Sequence, residues 1–359
     1  MLKKYLSNWS CIINPDVIVS VLCGVTLLFS SCEEKIEGGG RRSDKMVPIS
    51  FTLGDTEFRN GGDIMSRRGN DDGTPETVVI PIGNGLCMVA TIEPDRDIQT
   101  RADVSTMEDG DPETDHEIQT RTNTSTLDNG VIVRIVAYRD GTTYETHADY
   151  TVDGFDLTSS SPLEVPLGNY KFVAYSYNTP TLPAHHNTTI PDIDPSVDLL
   201  WGCYPATGWH SVMGPDEVSI LMRHQFSRVK LEISSTMVDT GINIVAIDTV
   251  SISPVSKKVN LSIIDSVLTA TSDSTQCFLS WTGLNTQTAT SESRILYTNN
   301  AETFYLNFKT ITLDGVYLAT PFPVSTGTFS KQLQRGTSYT LKLNIKKQSD
   351  ITKKNFSNP

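Results

Sequence analysis

From about residue 48 onward, the hydrophobic positions of this chain recur every second residue. "ISFTL" sets Ile49, Phe51 and Leu53 on one face, and "RVKLEI" alternates Val229, Leu231 and Ile233 with Arg228, Lys230 and Glu232. "FYLNFKT" and "YTLKLNIK" repeat the pattern through Phe304, Leu306 and Phe308, and then through Tyr339, Leu341, Leu343 and Ile345. A period of two puts alternate side chains on opposite faces of a pleated strand, so these segments predict half-buried strands of antiparallel sheets. Two segments, "VIVRIVAYR" (131–139) and "YKFVAYSY" (170–177), are apolar nearly throughout, which suits the centre of a sandwich. Turn signals such as "RDGT", "LGN", "LDG" and "RGT" separate the runs, and no amphipathic helix exceeds a couple of turns. The fold class is therefore all-β, with two antiparallel β-sandwich domains in tandem.

Residues 178–216 are rich in Pro, Gly, Asn and Asp and lack a long alternating run, which puts the boundary near residue 214. The expected domains are 48–214 and 215–347, followed by a frayed tail over 348–359. The first domain carries a long polar loop, 93–130, holding a tandem repeat: "EPDRDIQTRADVSTMEDG" from Glu93 and "ETDHEIQTRTNTSTLDNG" from Glu113. Nine of the eighteen aligned positions are identical, including "IQTR". Two copies are too few and too polar to stack as a solenoid. A surface loop tolerates such a duplication because doubling its length costs only about 0.6 kcal/mol of closure entropy.

The N-terminus changes the picture. The apolar run Val17 to Phe29 is too short to span a bilayer comfortably but fits a signal-peptide core. Ser30 and Ser31 directly before Cys32 resemble the lipobox of bacterial lipoproteins, which implies removal of residues 1–31 and acylation of Cys32. Each buried acyl CH₂ contributes roughly 0.8 kcal/mol, so two or three chains anchor a protein stably in the outer membrane. Residues 32–47, Gly-rich and charged, read as a flexible tether.

Composition narrows the function. A formal net charge of −13, with no basic stripe interleaved with aromatics, argues against nucleic acid. Cys87, Cys203 and Cys277 are too widely spaced for a disulfide framework or a CxxC metal site, and read as small buried hydrophobes. His185 and His186 are consecutive and would point to opposite faces of a strand. His147 and Asp149 share a face, but no nucleophile elbow or reactive-cysteine signature accompanies them, and they read as a surface pair. His224 falls on the inward phase of its strand and reads as a hydrogen-bonded core histidine. The acidic loops lack calcium-loop spacing, and no phosphate-cradling glycine loop occurs. No enzyme, cofactor or metal is expected.

Several segments together resemble the fimbrillin family of Bacteroidetes surface lipoproteins, in its minor-fimbrillin-like branch. They are "VPLGNYKFVAYSYNTPTLPA" (165–184), "DLLWGC" (198–203), "VSILMRHQFSRVKLEI" (218–233), "GVIVRIVAYRDGTTYETHADYTV" (130–152), "TRA" (100–102) and "GTSYTLKLNIK" (336–346). The resemblance implies two transthyretin-like sandwiches and a structural or accessory part in type V fimbriae, supporting adhesion. It also implies cleavage after the first strand by an arginine-directed protease, and filling of the vacated groove by a strand of another fimbrial subunit. "ISFTLGD" (49–55) is similar to that removable strand, and Arg101, Arg121 and Arg68 are the candidate processing sites, Arg101 first by family position. A second reading is a lipid-anchored surface module binding glycan or a host ligand through Trp201, Tyr204 and Trp209.

Overall fold

Alternation along the chain becomes a stack of sheets whose central strands are buried on both faces. The computed structural model describes residues 45–54, 56–58, 75–95, 124–125, 127–154, 156–239, 241–271, 273–315 and 321–355. The chain opens with β1 (Met46–Leu53), β2 (Thr56–Glu57), the hairpin β3 (Glu76–Pro81) and β4 (Leu86–Pro94), and β5 (Thr124–Ser125). Next come β6 (Ile132–Arg139), β7 (Thr143–Asp153), β8 (Asp156–Thr158), β9 (Glu164–Pro166) and β10 (Gly168–Ser176). They are followed by β11 (Thr189–Ile193), β12 (Leu200–Tyr204), β13 (His210–Val212), β14 (Asp216–Ile220) and β15 (Arg223–His224). The remaining strands begin with β16 (Ser227–Ser234), β17 (Ile244–Ser256), β18 (Val259–Ser262), β19 (Leu268–Ala270) and β20 (Ser274–Leu279). The series ends with β21 (Trp281–Thr282), β22 (Thr288–Ser291), β23 (Arg294–Leu296), β24 (Phe304–Leu313), β25 (Pro321–Pro323), β26 (Gly327–Phe329) and β27 (Ser338–Lys347).

Among the described residues the largest sheet runs β14-β1-β8-β7-β6-β10-β12-β15-β2-β5. It closes on one core, where Val47, Ile49 and Phe51 meet Val133, Ile135, Phe172, Val218 and Ile220. A second core fills the space between the sheet β21-β22-β16-β27-β4-β3 and the sheet β20-β17-β24-β25. The all-β expectation holds, with antiparallel pairing dominant, although β1 runs parallel to β14 and β16 parallel to β27.

The nearly continuous apolar runs have a direct explanation. Val133, Ile135 and Ala137 of β6 face the first core, whereas Val136 and Tyr138 face a third cluster. β10 divides likewise, with Phe172 and Ala174 on one side and Val173 and Tyr175 on the other. The small sheet β11-β18-β19 supplies Ile190, Val259 and Leu261 to that third cluster.

The structure differs from the sequence expectation in three places. β3 and β4, assigned by position to the first sandwich, pair instead with β27: Leu341 faces Ile92 and Leu343 faces Ala90. β14 lies beyond residue 214 yet pairs with β1, and Val218 and Ile220 belong to the first core. Alternation encodes which face is buried but not which strand is neighbour, so a chain that crosses between sheets leaves no mark in the pattern. Residues 348–355, expected to fray, form the helix α1 (Gln348–Asn355), whose first amide donates to Gly85 O at 2.7 Å and whose first turn holds Asp350.

The segment 178–187 lies over the outer face of β6. Arg134 donates through Nη1 to Pro183 O (2.9 Å), and Tyr138 donates its hydroxyl to Asn187 O (2.6 Å). His185 stacks on His147 with centroids 3.7 Å apart, and the Tyr144 hydroxyl pairs with His147 Nδ1 at 2.9 Å. Burial, reinforced by His147 and Arg134, pushes the His185 imidazole down to about 4, and burial lowers His147 as well. Asp149 is taken by Arg134 Nε and Nη2 at 2.6 and 2.7 Å, so it forms a bidentate ion pair rather than serving His147.

Two predictions follow from this packing. A histidine depressed in the folded state binds its proton first in the unfolded chain, whose value is about 6.5, so stability falls as pH drops from about 6.5 towards 4. Thermal melts at pH 7 and 4.5 are expected to show a larger loss for the parent than for His185→Gln, with hydrogen exchange rising first over 178–187. Gly202 of β12 crosses so close to β14 that an added Cβ would sit 2.3 Å from Leu221 O and 2.8 Å from Ile220 Cγ2. Gly202→Ala is therefore expected to cost about 2–3 kcal/mol in urea unfolding.

Candidate functional site

The feature that stands apart from ordinary sheet packing is the seat of β1. Its burial alternates strictly from Met46 to Phe51, with Val47, Ile49 and Phe51 at 1%, 2% and 6% exposure. Three hydrophobic side chains on one face of a short strand act as pegs, and the strand flanking them is held by sequence-distant neighbours. β14 pairs with β1 in parallel, Ile49 with Asp216, Phe51 with Val218 and Leu53 with Ile220. On the other edge Val47 faces Val165 of β9, and Ile49 donates its amide to Leu163 O at 3.1 Å.

Phe51 makes the aromatic contacts of the seat. Its ring meets Tyr150 edge-on at 5.8 Å and Phe172 edge-on at 5.4 Å. The Tyr150 hydroxyl accepts the Leu163 amide at 2.9 Å, and burial pushes its phenol up. Behind Phe172 lies Tyr170, whose hydroxyl accepts from Arg139 Nη2 at 2.8 Å. Tyr150 and Tyr170 are thus held by hydrogen bonds that do not involve Phe51. Burying such an aromatic and two aliphatic pegs contributes on the order of 5 kcal/mol.

The chain leaves β1 through a clasp. The Gly54 amide donates to Ile220 O at 3.1 Å, and β2 then pairs with β5 and with β15. Phe58, 7% exposed, stacks on His224 with centroids 3.6 Å apart and an interplanar angle of 5°. The Arg228 guanidinium lies 4.3 Å from the centre of the Phe58 ring. His224, as its strand phase suggested, is a core histidine; its Nδ1 bonds Asp198 Oδ1 at 2.5 Å, and Asn178 donates to Oδ2 of the same carboxylate. Sequence reasoning missed Phe58, an isolated aromatic in the polar stretch "DTEFRN" with no periodicity to mark it.

Among the residues singled out by sequence, Ile49, Phe51 and Leu53 are brought together on β1. Cys32, Arg68, Arg101 and Arg121 lie outside the described residues. Both ends of the long loop are nevertheless placed. Asp95 accepts from Thr340 Oγ1 at 2.7 Å next to β4, and β5, just after Arg121, pairs with β2. Leu127, inside the second repeat copy, packs in the first core. The three aromatic candidates do not form one surface. Trp201 donates its indole N–H to Ile263 O at 2.7 Å and packs in the third cluster, while Tyr204 packs against the first core beside His210. Trp209 is 58% exposed. Cys87 is buried, Cys203 and Cys277 are half-buried, and burial raises all three thiols. Among the described residues no group of three or more His, Cys, Asp or Glu is arranged to hold a metal, and no helix is long and apolar enough to cross a membrane.

Comparison with known proteins sets this architecture in context. A candidate cell adhesion protein of Bacteroides fragilis has a similar structure, with 13% identity, a TM-score of 0.44, and coverage of 84% of this chain and 93% of that one. A candidate cell adhesion protein of Parabacteroides distasonis has 10% identity, a TM-score of 0.45, and coverage of 84% and 89%. The fimbrial anchor protein Mfa2 of Porphyromonas gingivalis has 12% identity, a TM-score of 0.32, and coverage of 59% and 76%. A search of the curated proteins gives no match. The family model described as Fimbrillin-like matches residues 100–356, more than half of the sequence, and the chain belongs to that family.

Proposed function

We propose that this protein is a fimbrial subunit or accessory protein that works by exchanging β1. Family membership supports a fimbrial or adhesin role. The observation that supports strand exchange is that β1 fills, with three side chains, a groove whose walls belong to β6, β7, β9, β10 and β14. An equivalent strand from another subunit would satisfy the same backbone groups and the same aromatic wall.

The strand pairing also bears on where a protease would act. A cut after Arg101 or Arg121 leaves β3 and β4 on the same fragment as β1. β4 sits between β3 and β27, with Met88, Ala90 and Ile92 in the second core, so that fragment could not leave without opening both cores. A cut after Arg68 falls between β2 and β3 and frees β1 with β2 alone. Arg68 thus replaces Arg101 as the favoured processing site. If Cys32 carries lipid, the same cut would detach the body from its acyl anchor as it opens the groove. Uncut chains would stay on the outer membrane and cut chains would be free to polymerise.

Treatment of the mature protein with an arginine-specific protease is expected to give a fragment ending at Arg67 or Arg68 and SDS-resistant ladders of the remaining body. The double substitution Arg67→Lys, Arg68→Lys is expected to abolish the ladder, whereas Arg101→Lys with Arg121→Lys leaves it intact. A cut body that stays monomeric would count against strand exchange. Phe58→Ala removes the contact with His224 and Arg228, and is expected to speed loss of β1 from cut protein by on the order of tenfold. Displacement by a labelled peptide covering 46–58 measures that rate.

A further inference from the structure

The sheet β20-β17-β24-β25 buries one face in the second core through Val250, Ile252, Phe304, Leu306 and Phe308. Its opposite face carries an open groove of about 690 Å³. Two aromatic rings stand on it, Phe278 of β20 at 56% exposure and Tyr305 of β24 at 42%. Register fixes their spacing: Phe278 lies beside Ser251 of β17, and Tyr305 lies beside Ser253 of the same strand. They are thus two strands and one outward row apart, about 10 Å across the sheet and about 7 Å along it.

The ground between the rings is polar, neutral and already ordered. Ser251 donates its hydroxyl to Gln276 Oε1 at 3.0 Å, and Asn307 donates Nδ2 to Ser253 Oγ at 3.0 Å. Thr326 donates its hydroxyl to Asn307 Oδ1 at 3.3 Å. Apart from the Tyr305 phenol, none of the groove's lining side chains is ionisable. Lys309, farther along β24, is paired with Asp248 at 3.0 Å. On a chain of net charge −13, a charge-free groove with two exposed rings selects against phosphates, nucleic acid and charged peptides. It suits a ligand with flat apolar C–H faces to lie on the rings and with hydroxyls to exchange hydrogen bonds with amides and hydroxyls.

We propose that this groove binds a neutral oligosaccharide, with Phe278 and Tyr305 as stacking platforms for two sugar rings and Gln276 and Asn307 as the groups that read their hydroxyls. The site is separate from the β1 groove and stands whether or not β1 is exchanged. It also differs from the Trp209 surface.

The test is calorimetric titration of the folded mature protein with tetra- to hexasaccharides of glucose, mannose, xylose and galactose. Saturable binding to at least one is expected, little changed between 50 and 500 mM salt because no ion pair contributes. Phe278→Ala and Tyr305→Ala are each expected to weaken it by about fivefold or more with the melting temperature retained, Gln276→Ala less, and Trp209→Ala not at all. No saturable binding to any of these sugars overturns the proposal. So does binding that survives both aromatic substitutions or is lost with Trp209→Ala. Concentration-dependent self-association that Phe278→Ala abolishes, with no sugar competing, overturns it in favour of a contact between copies of this chain.

Discussion

The pairing of β6 with β10 is the contact on which the rest of the molecule is built. Six successive residue pairs, from Tyr170 with Arg139 to Tyr175 with Arg134, join two strands that have no solvent-facing side. One face carries the core that receives β1, and the other carries the cluster reaching Val259 and Leu261 in the later part of the chain. Packing on either side therefore presses against a wall that cannot yield without disturbing the opposite side. Interiors at crystal-like density transmit such displacement rather than absorbing it. Arg134 shows how a polar residue is fitted into this wall: it is 6% exposed, and its guanidinium is shared among Asp149, Tyr175 and Pro183.

Against that wall, β1 is held by two devices of different character. The pegs Val47, Ile49 and Phe51 supply non-directional burial. The clasp at Phe58 is directional, since it needs the His224 plane, the Arg228 cation and the Asp198 carboxylate together. The pegs fix how strongly any suitable strand is held, whereas the clasp is specific to the chain that continues past Gly54. A replacement strand lacking a Phe58 equivalent would match the first device and forgo the second.

Much of this was legible in the sequence, because burial is written into alternation. Ile49, Phe51, Val229, Leu231, Leu341 and Leu343 all point inward as their phase requires. The two-sided burial of β6 and β10 was visible as runs apolar nearly throughout, and His224 betrayed itself by strand phase. What was not legible is pairing. Nothing in "LCMVATIE" says that its neighbour is "LKLNIKK" some 250 residues later, because any alternating strand fits any other of like length. Phe58 and Leu127 were hidden for a second reason: each is a lone apolar residue in polar surroundings, and a single residue has no period. Trp201, an indole near turns, fits a surface or a packed role equally until the turn after β18 that accepts its N–H is known.

The parallel partnership of β1 with β14 also fixes an order of events. Residue 49 needs residue 216 beside it, so β1 meets β9 on one edge well before the rest of the first core supplies β14 on the other. Such non-local contacts form late, since the intervening chain must first give up its freedom. Until then three adhesive side chains sit on a strand with one open edge, and any nearby chain with a free groove competes for them. The route by which the nascent molecule completes itself and the route by which it could join another copy thus diverge only at the last step, and what separates them is local concentration.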